Sequence, residues 1–294
     1  MKPVPFDYRC PDTLDEALAL LATHGDEAKV MAGGQSLVPM LNFRVVRPAI
    51  VIDIRRLLEI DYVRERADGG LDFGALARHR VVESSELVAS RFPVIPEAMR
   101  HVAHLAIRNR GTIGGSLSHA DPAAEWPMLA MLLDARIVVR SVRGERAVPA
   151  ARFFTGPLAT VLAADELVVR VEFPGLGPHG AAFEEFSRRA GDFALAAAGV
   201  VLEVADGRIR SARVAMMGVA DTPVRRAEAE SALAGQSLGE EVVAQAVRAA
   251  CESLEPRQDL HASPAYRSHL AGVMFERALR LAWSRATGQQ EQAA

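Results

Sequence analysis

Residues 107–127 read IRNRGTIGGSLSHADPAAEWP, with the segment Thr112-Ile113-Gly114-Gly115-Ser116 near the centre. Paired glycines beside hydroxyl residues let the backbone come close to a ligand, because no Cβ holds an anion away. A second segment of the same kind, Ala32-Gly33-Gly34-Gln35-Ser36, lies near the start of the chain. There the β-type run Ala28 to Ala32 leads into Gly-Gly, and Gln35 to Arg44 then reads as a helix. Strand, glycines and helix in that order leave unpaired N–H groups and the positive end of a helix where a phosphate fits. Either pair taken singly is more simply a tight turn, and neither matches the dinucleotide fingerprint G-x-G-x-x-G. Arg108 and Arg110 read equally as anchors for an anion and as a solvated helix end.

Working outward, Thr13 and Glu16 stand at capping-box spacing, Leu14, Leu18 and Leu21 at helical spacing, and Gly25 where a helix stops. With the strand Ala49 to Ile54, this start forms a compact β-α-β fragment. Asp61 to Phe73 reads as a hairpin turning at Asp68-Gly69-Gly70, and Ser84 to Phe92 and Pro96 to Ala106 read as helices. A glycine-rich loop follows, then a helix over Met128 to Asp134 and strands over Arg136 to Arg140 and Glu166 to Phe173. Gly175 to Gly180 (GLGPHG) reads as a linker. Beyond it, Phe193 to Val204 and Arg208 to Met217 flank Asp206-Gly207, a type I′ hairpin signal. Ala227 to Leu233, Glu240 to Ser253 and Tyr266 to Ala286 read as helices. The expected fold class is α+β: a first domain over 1–176, with subdomains of about 1–55 and 56–176, then a small antiparallel sheet with a helical C-terminal domain over 177–288. A polar tail, QQEQAA, occupies 289–294.

Composition removes several functions. With 294 residues, half of them apolar and 24% charged, the chain is an ordinary folded protein with room for two domains. Thirty-four basic residues against 37 acidic ones give a net charge of −3, and aromatics make up only 5%, so nucleic acid is not an expected partner. Cys10 and Cys251 are the only cysteines, too few for a four-cysteine cluster, so any metal redox centre belongs to another chain. The longest apolar run, Phe193 to Leu202, is far short of the ~20 residues of a membrane span. The N-terminal MKPVPFDYRCP has no apolar targeting region, and a cytoplasmic, unprocessed protein is expected. Lys2 and Lys29, the only lysines, are not preceded by glycine, which removes a Walker-type phosphate loop. Ser118, His119 and Asp121 are too close in sequence to converge as a hydrolase triad. His101 and His104, three apart on an expected helix, read as a packing pair, because no third metal ligand is nearby.

The stretch 107–127 does not stand alone. Ala32 to Ser36, Asp165-Glu166-Leu167, Arg189-Ala190-Gly191-Asp192-Phe193-Ala194, and Tyr266-Arg267 with Arg277-Ala278-Leu279 join it across nearly the whole chain. Together they resemble the FAD-binding medium subunit of the molybdenum hydroxylases, a family that includes the flavoprotein subunits of carbon monoxide dehydrogenase and of bacterial xanthine dehydrogenase-like enzymes. The resemblance implies a PCMH-type FAD-binding domain of two subdomains with FAD between them, followed by the family's C-terminal domain.

Carried over by position, Ala32, Gly33, Gly34, Gln35 and Ser36, with Thr112, Ile113, Gly114, Gly115 and Ser116, hold the pyrophosphate and ribityl region through backbone N–H and hydroxyl donors. The resemblance further implies that Glu125 would bond the ribityl or ribose hydroxyls, that Leu167 would pack on the flavin ring and that Phe193 would lie near the isoalloxazine. Ser116 stands where the family often has asparagine, and Phe193 where some members have tyrosine, so a hydroxyl bond from that position is lost.

The function implied is an oxidoreductase subunit that passes electrons from a [2Fe-2S] partner through FAD to an external acceptor. Molybdopterin would sit on a large subunit and the iron–sulfur cluster on a small one, in a dimer of heterotrimers. No catalytic acid–base residue or metal ligand is expected on this chain itself. A stand-alone FAD-dependent oxidoreductase and a nucleotide-binding module without redox chemistry are the alternatives. The substrate (carbon monoxide, a purine, another N-heteroaromatic or an aldehyde) and the acceptor (NAD, quinone or cytochrome) stay open.

Overall fold

A computed structural model describes residues 2–288; the expected tail over 289–294 lies outside the described residues. The chain opens with β1 (Asp7–Arg9), α1 (Leu14–His24), β2 (Ala28–Met31), α2 (Leu37–Asn42) and β3 (Ile50–Asp53). The three strands form a parallel sheet in the order β1-β3-β2. Its central strand is buried at all four residues, Ile-Val-Ile-Asp, as a parallel strand covered on both faces must be. Thr13 Oγ1 accepts from the Glu16 N–H at 3.3 Å, the Glu16 carboxylate accepts from the Asp12 N–H, and Gly25 closes the helix at φ 47°. Strand β1 is exposed at all three residues and has no apolar signature. It exists through its pairing with β3 and through the Tyr8 hydroxyl, which donates to the buried Asp53 carboxylate at 2.7 Å. Helix α2 is shorter than the expected 35–44: it starts after the Ser36 cap and ends before Arg44, which takes left-handed backbone (φ 57°).

The second unit contains β4 (Val63–Glu65), β5 (Leu71–Gly74), α3 (His79–Glu83), α4 (Glu86–Arg91), α5 (Val94–Met99), α6 (Leu105–Arg108), α7 (Ile113–His119) and α8 (Glu125–Leu132). After these come β6 (Arg136–Ser141), β7 (Gly144–Pro149), β8 (Phe154–Gly156), β9 (Ala159–Thr160) and β10 (Leu167–Phe173). Five strands pair antiparallel in the order β4-β5-β10-β6-β7. Against them, Phe73, Phe92, Trp126 and Phe173 pack edge to face or tilted, with centroids 5.3–6.4 Å apart.

Two expectations change here. The helix expected over 96–106 is split: α5 stops at Met99 and α6 starts at Leu105, with Ala103 left-handed between them (φ 41°), so His101 lies in a turn and His104 caps α6, and the two do not share a helix. The stretch expected as a glycine-rich loop is the first turn of α7, with Thr112 as its cap.

The last unit contains β11 (Gly180–Ser187), β12 (Ala194–Ala205), β13 (Arg208–Met217), β14 (Val224–Arg225), α9 (Ala227–Leu233), α10 (Glu240–Cys251) and α11 (Pro264–Thr287). The strands pair antiparallel in that order, and Asp206 and Gly207 both have positive φ in the two-residue turn between β12 and β13. Strand β12 is buried at its first nine residues. Ala196, Ala198, Val200 and Leu202 face the core under α11, whereas Ala197 and Val201 face the first two units. Burial on both faces explains why the longest apolar run of the chain is a strand. Gly199 sits against α8, where a Cβ would come within 2.7 Å of Leu132 Cδ2. Among the described residues no helix is long and apolar enough to cross a membrane.

Candidate functional site

Where β2 ends, Ala32 to Ser36 turn across the backbone that precedes α7. A Cβ on Gly33 would lie 2.2 Å from the Arg110 carbonyl oxygen and 2.9 Å from Gly111 Cα, so only glycine allows the two segments to meet. Gly34 supplies the left-handed conformation, and Gln35 Nε2 donates to the Gly33 carbonyl at 2.8 Å. The backbone N–H groups of Gly33, Gly34, Gln35 and Ser36 donate no hydrogen bond to any described residue. Four successive amides left without an internal partner, just ahead of a helix start, form a cradle for an anionic acceptor.

The segment Thr112 to Ser116 differs. Ile113 N–H donates to Ala77 O at 3.1 Å, Gly114 N–H to Ala75 O at 2.9 Å, and Gly115 N–H to Thr112 Oγ1 at 3.1 Å. These three amides are committed inside the protein. Gly114 is pressed onto Ala75, where a Cβ would sit 2.6 Å from Ala75 Cβ. Gly115 faces Ala32. The first segment therefore offers amides, whereas the second offers the hydroxyl of Ser116.

Both segments border one cleft of about 820 Å³ that runs between the parallel sheet, α7 and the turn before β12. Ala32, Gly33, Gly34, Gln35, Ser36, Thr112, Gly114, Gly115, Ser116, Glu125, Leu167 and Phe193 line it. Ile113 does not: its side chain is fully buried in the core beneath, and its amide is taken by Ala77. Leu167 is 6% exposed and Phe193 68%, which places one in a wall and the other at the mouth. The turn that carries Phe193 bends at Gly191 (φ 85°) and is closed by the Asp192 N–H bond to Arg189 O.

Glu125 keeps part of its surface in the cleft, yet burial, with the Asp121 carboxylate adding, pushes its carboxyl up to about 7. Glu185 on β11 has a side chain only 1% exposed and an Oε2 without a partner. Burial and the negative charge of Glu125 push it up to about 9. Its nearest basic group, His101 Nδ1, is 3.9 Å away, and burial lowers the pKa of that imidazole.

The remaining residues considered from sequence have other roles or none. Arg108 is packed, its Nε donating to Glu83 at 3.0 Å and its Nη1 to Val102 O and Ala103 O, so it is not free to hold an anion. Asp165 and Glu166 form the turn before β10, clamped by Arg143 and Arg146. Ser118, His119 and Asp121 line the cleft but make no hydrogen bond with one another. No group of three or more metal-ligating side chains occurs among the described residues. His79 also lines the cleft and is absent from the sequence reading, because a lone histidine at the start of a five-residue helix carries no spacing signal.

The chain was compared with known proteins. A family model described as the FAD binding domain in molybdopterin dehydrogenase matches residues 4–176, and one described as the CO dehydrogenase flavoprotein C-terminal domain matches residues 181–282. The 6-hydroxypseudooxynicotine dehydrogenase complex subunit alpha of Paenarthrobacter nicotinovorans is 42% identical, with 99% of each chain covered. The carbon monoxide dehydrogenase medium chain of Hydrogenophaga pseudoflava is 37% identical, covering 97% of this chain and 99% of that one. The crystal structure of quinoline 2-oxidoreductase from Pseudomonas putida 86 superposes with a TM-score of 0.93 at 39% identity, covering 99% of this chain and all of that one.

Proposed function

We propose a function from one premise: the chain belongs to the family of FAD-binding medium subunits of the molybdenum hydroxylases, and it is an FAD-binding oxidoreductase subunit. On this reading it transfers electrons between a small [2Fe-2S] subunit and an external acceptor, within a complex whose large subunit carries molybdopterin. A dimer of such heterotrimers in the cytoplasm is the assembly we infer. The FAD-binding unit would end near residue 176 and the C-terminal unit would run from 177 to 288.

The observation that carries the reading is the meeting of Gly33 with Arg110 and Gly111 beside four unpaired amides, at the floor of a cleft large enough for a dinucleotide. Gly33, Gly34, Gln35 and Ser36 would hold the diphosphate through their amides, with the Ser116 hydroxyl beside them. Glu125, its carboxyl pushed up to about 7 and so present in both protonation states near neutral pH, would meet the ribityl or ribose hydroxyls as donor or acceptor. Leu167 and Phe193 would border the ring system and exclude water from one side. Bound FAD exchanges electrons singly or in pairs, the chemistry that joins a one-electron cluster to a two-electron acceptor. The chain's own contribution is to bind and orient that group.

The relatives' names range from carbon monoxide to quinoline, which suits a division of labour in which the molybdenum subunit selects the substrate. The test is reconstitution. The isolated chain with FAD should oxidise neither carbon monoxide nor N-heteroaromatics, purines or aldehydes, and turnover should return only with both partner subunits. Turnover by the single chain, free of molybdenum and iron by elemental analysis, would replace this reading with a stand-alone flavoenzyme.

A further inference from the structure

One polar side chain in the cleft is almost fully buried and uses only half of its hydrogen-bonding capacity. His79, the first residue of α3, is 5% exposed. Trp126 Nε1 donates to its Nδ1 at 2.9 Å. An indole N–H can only donate, so Nδ1 must present its lone pair, and the proton of the neutral imidazole resides on Nε2. Burial, reinforced by the Arg108 guanidinium, holds the ring neutral by lowering its pKa to about 4.

Nε2 makes no hydrogen bond to any described residue. It lies against Gly111, where a Cβ would come within 2.7 Å of it, and Gly111 is also the residue onto which Gly33 packs. His79, Gly111 and Gly33 all line the cleft. Across Gly111, the Nε2–H of this largely buried ring and the backbone of Gly33, the first of the four unpaired amides, thus border the same residue at the cleft. A donor that the protein itself leaves unpaired at the edge of the cleft is open to an acceptor on a bound ligand.

We propose that His79 Nε2–H donates a hydrogen bond to a diphosphate oxygen of the bound FAD, with Trp126 fixing the tautomer that makes this possible. The inference rests on the reading of the cleft as the FAD site. His79 is a binding residue in this scheme, and Trp126 acts through it as a positioning residue.

The test uses the full chain labelled with ¹⁵N-histidine. Long-range ¹H–¹⁵N spectra should show His79 protonated on Nε2 and bare on Nδ1, and saturation with FAD should move the Nε2 resonance, whereas riboflavin, which has no phosphate, should not. Two variants support the spectrum with affinities from flavin fluorescence. His79→Asn keeps an acceptor for Trp126 but loses the outer donor, and should weaken FAD binding about 10- to 100-fold, the range for one lost charge-assisted bond. His79→Gln restores a donor near the Nε2 position and should stay within about threefold of wild type.

A proton on Nδ1, an Nε2 signal unmoved while FAD is bound, an equal shift with riboflavin, or equal affinities for the two variants would each overturn the assignment. For a variant that does not fold, the wild-type spectrum decides. A wild-type chain that takes up no FAD would instead bring down the reading of the cleft itself.

Discussion

The glycines of the cleft are alike in sequence and unlike in what holds them to glycine. Gly114 has no room, because a Cβ would press on Ala75 at 2.6 Å, whereas at Gly34 a Cβ would meet only side-chain atoms, Val38 Cγ2 at a tight 3.3 Å, and the left-handed backbone is the stronger demand. Gly114→Ala should therefore destabilise the chain by about 1–3 kcal/mol through overpacking. Gly34→Ala should cost about 1–2 kcal/mol in backbone strain and act chiefly on flavin occupancy, by crowding the amide cradle. Melting temperature and the 450 nm band of the purified variants separate the two effects, and the opposite ranking would sink the division. Leu167 and Phe193 differ in the same way. Leu167→Ala, in a packed wall, should lower stability by about 2–4 kcal/mol. Phe193→Ala, at an exposed mouth, should leave stability within about 0.5 kcal/mol while shifting the flavin absorption or reduction potential. An unchanged spectrum and potential would remove Phe193 from the site.

Among the elements, α11 shows how a motif can be structural. Arg267, 6% exposed in its first turn, donates through Nη1 to Leu195 O at 2.7 Å and Gly218 O at 3.2 Å, and through Nη2 to Asp259 at 2.6 Å. These bonds tie the helix to the start of β12 and the end of β13. Arg267→Lys cannot span both carbonyls and the carboxylate, since an ammonium is a single point of charge. It should cost about 1–3 kcal/mol in urea unfolding with FAD affinity unchanged, and a large loss of affinity at intact stability would mean that Arg267 serves the ligand. Strand β11 gives the opposite lesson, since its Gly180 presses on the backbone of α11, where a Cβ would lie 2.0 Å from Ala282 O. What reads as linker glycine in GLGPHG is there to let a strand and a helix touch.

Across the whole molecule, Glu125 on α8 and Glu185 on β11 belong to different units, and the negative charge of the first bears on the second. A carboxyl whose folded pKa lies above its unfolded value holds its proton more firmly in the folded chain, so stability falls as pH rises from the ordinary value through the folded one. That window runs from 4.5 to about 7 for Glu125 and from 4.5 to about 9 for Glu185. His101 and Asp121 are the other titratable groups that bear on the pair. The ligand-free chain should lose stability between about pH 5 and 9, by at most about 1.4 kcal/mol per pH unit for each group. Glu185→Gln should flatten the upper part of that slope and leave the variant the more stable form at pH 9, as followed by thermal denaturation. An identical slope in both proteins would place the proton elsewhere.

Much of this architecture is legible in the order of residues. The cap at Thr13, the stop at Gly25, the two-residue turn at Asp206-Gly207 and the period of α9 to α11 depend on neighbours a few positions apart, so local sequence specifies them. The two Gly-Gly segments were visible for the same reason, as was the poverty in cysteine. Strands β1 and β14 were not, because they are short and held by partners across the fold, nor was β7, which is exposed at four of its six residues and has no clear apolar alternation. The Thr112 cap that takes the Gly115 amide is local, but no local pattern could tell that the amides of Ile113 and Gly114 are already taken while those of Gly33 to Ser36 are free. That difference arises because the carbonyls of Ala75 and Ala77, just after β5, accept from the start of α7. The pairing of His79 with Trp126 has the same origin: hydrogen bonds between residues 47 apart are set by packing, and packing is a property of the folded chain.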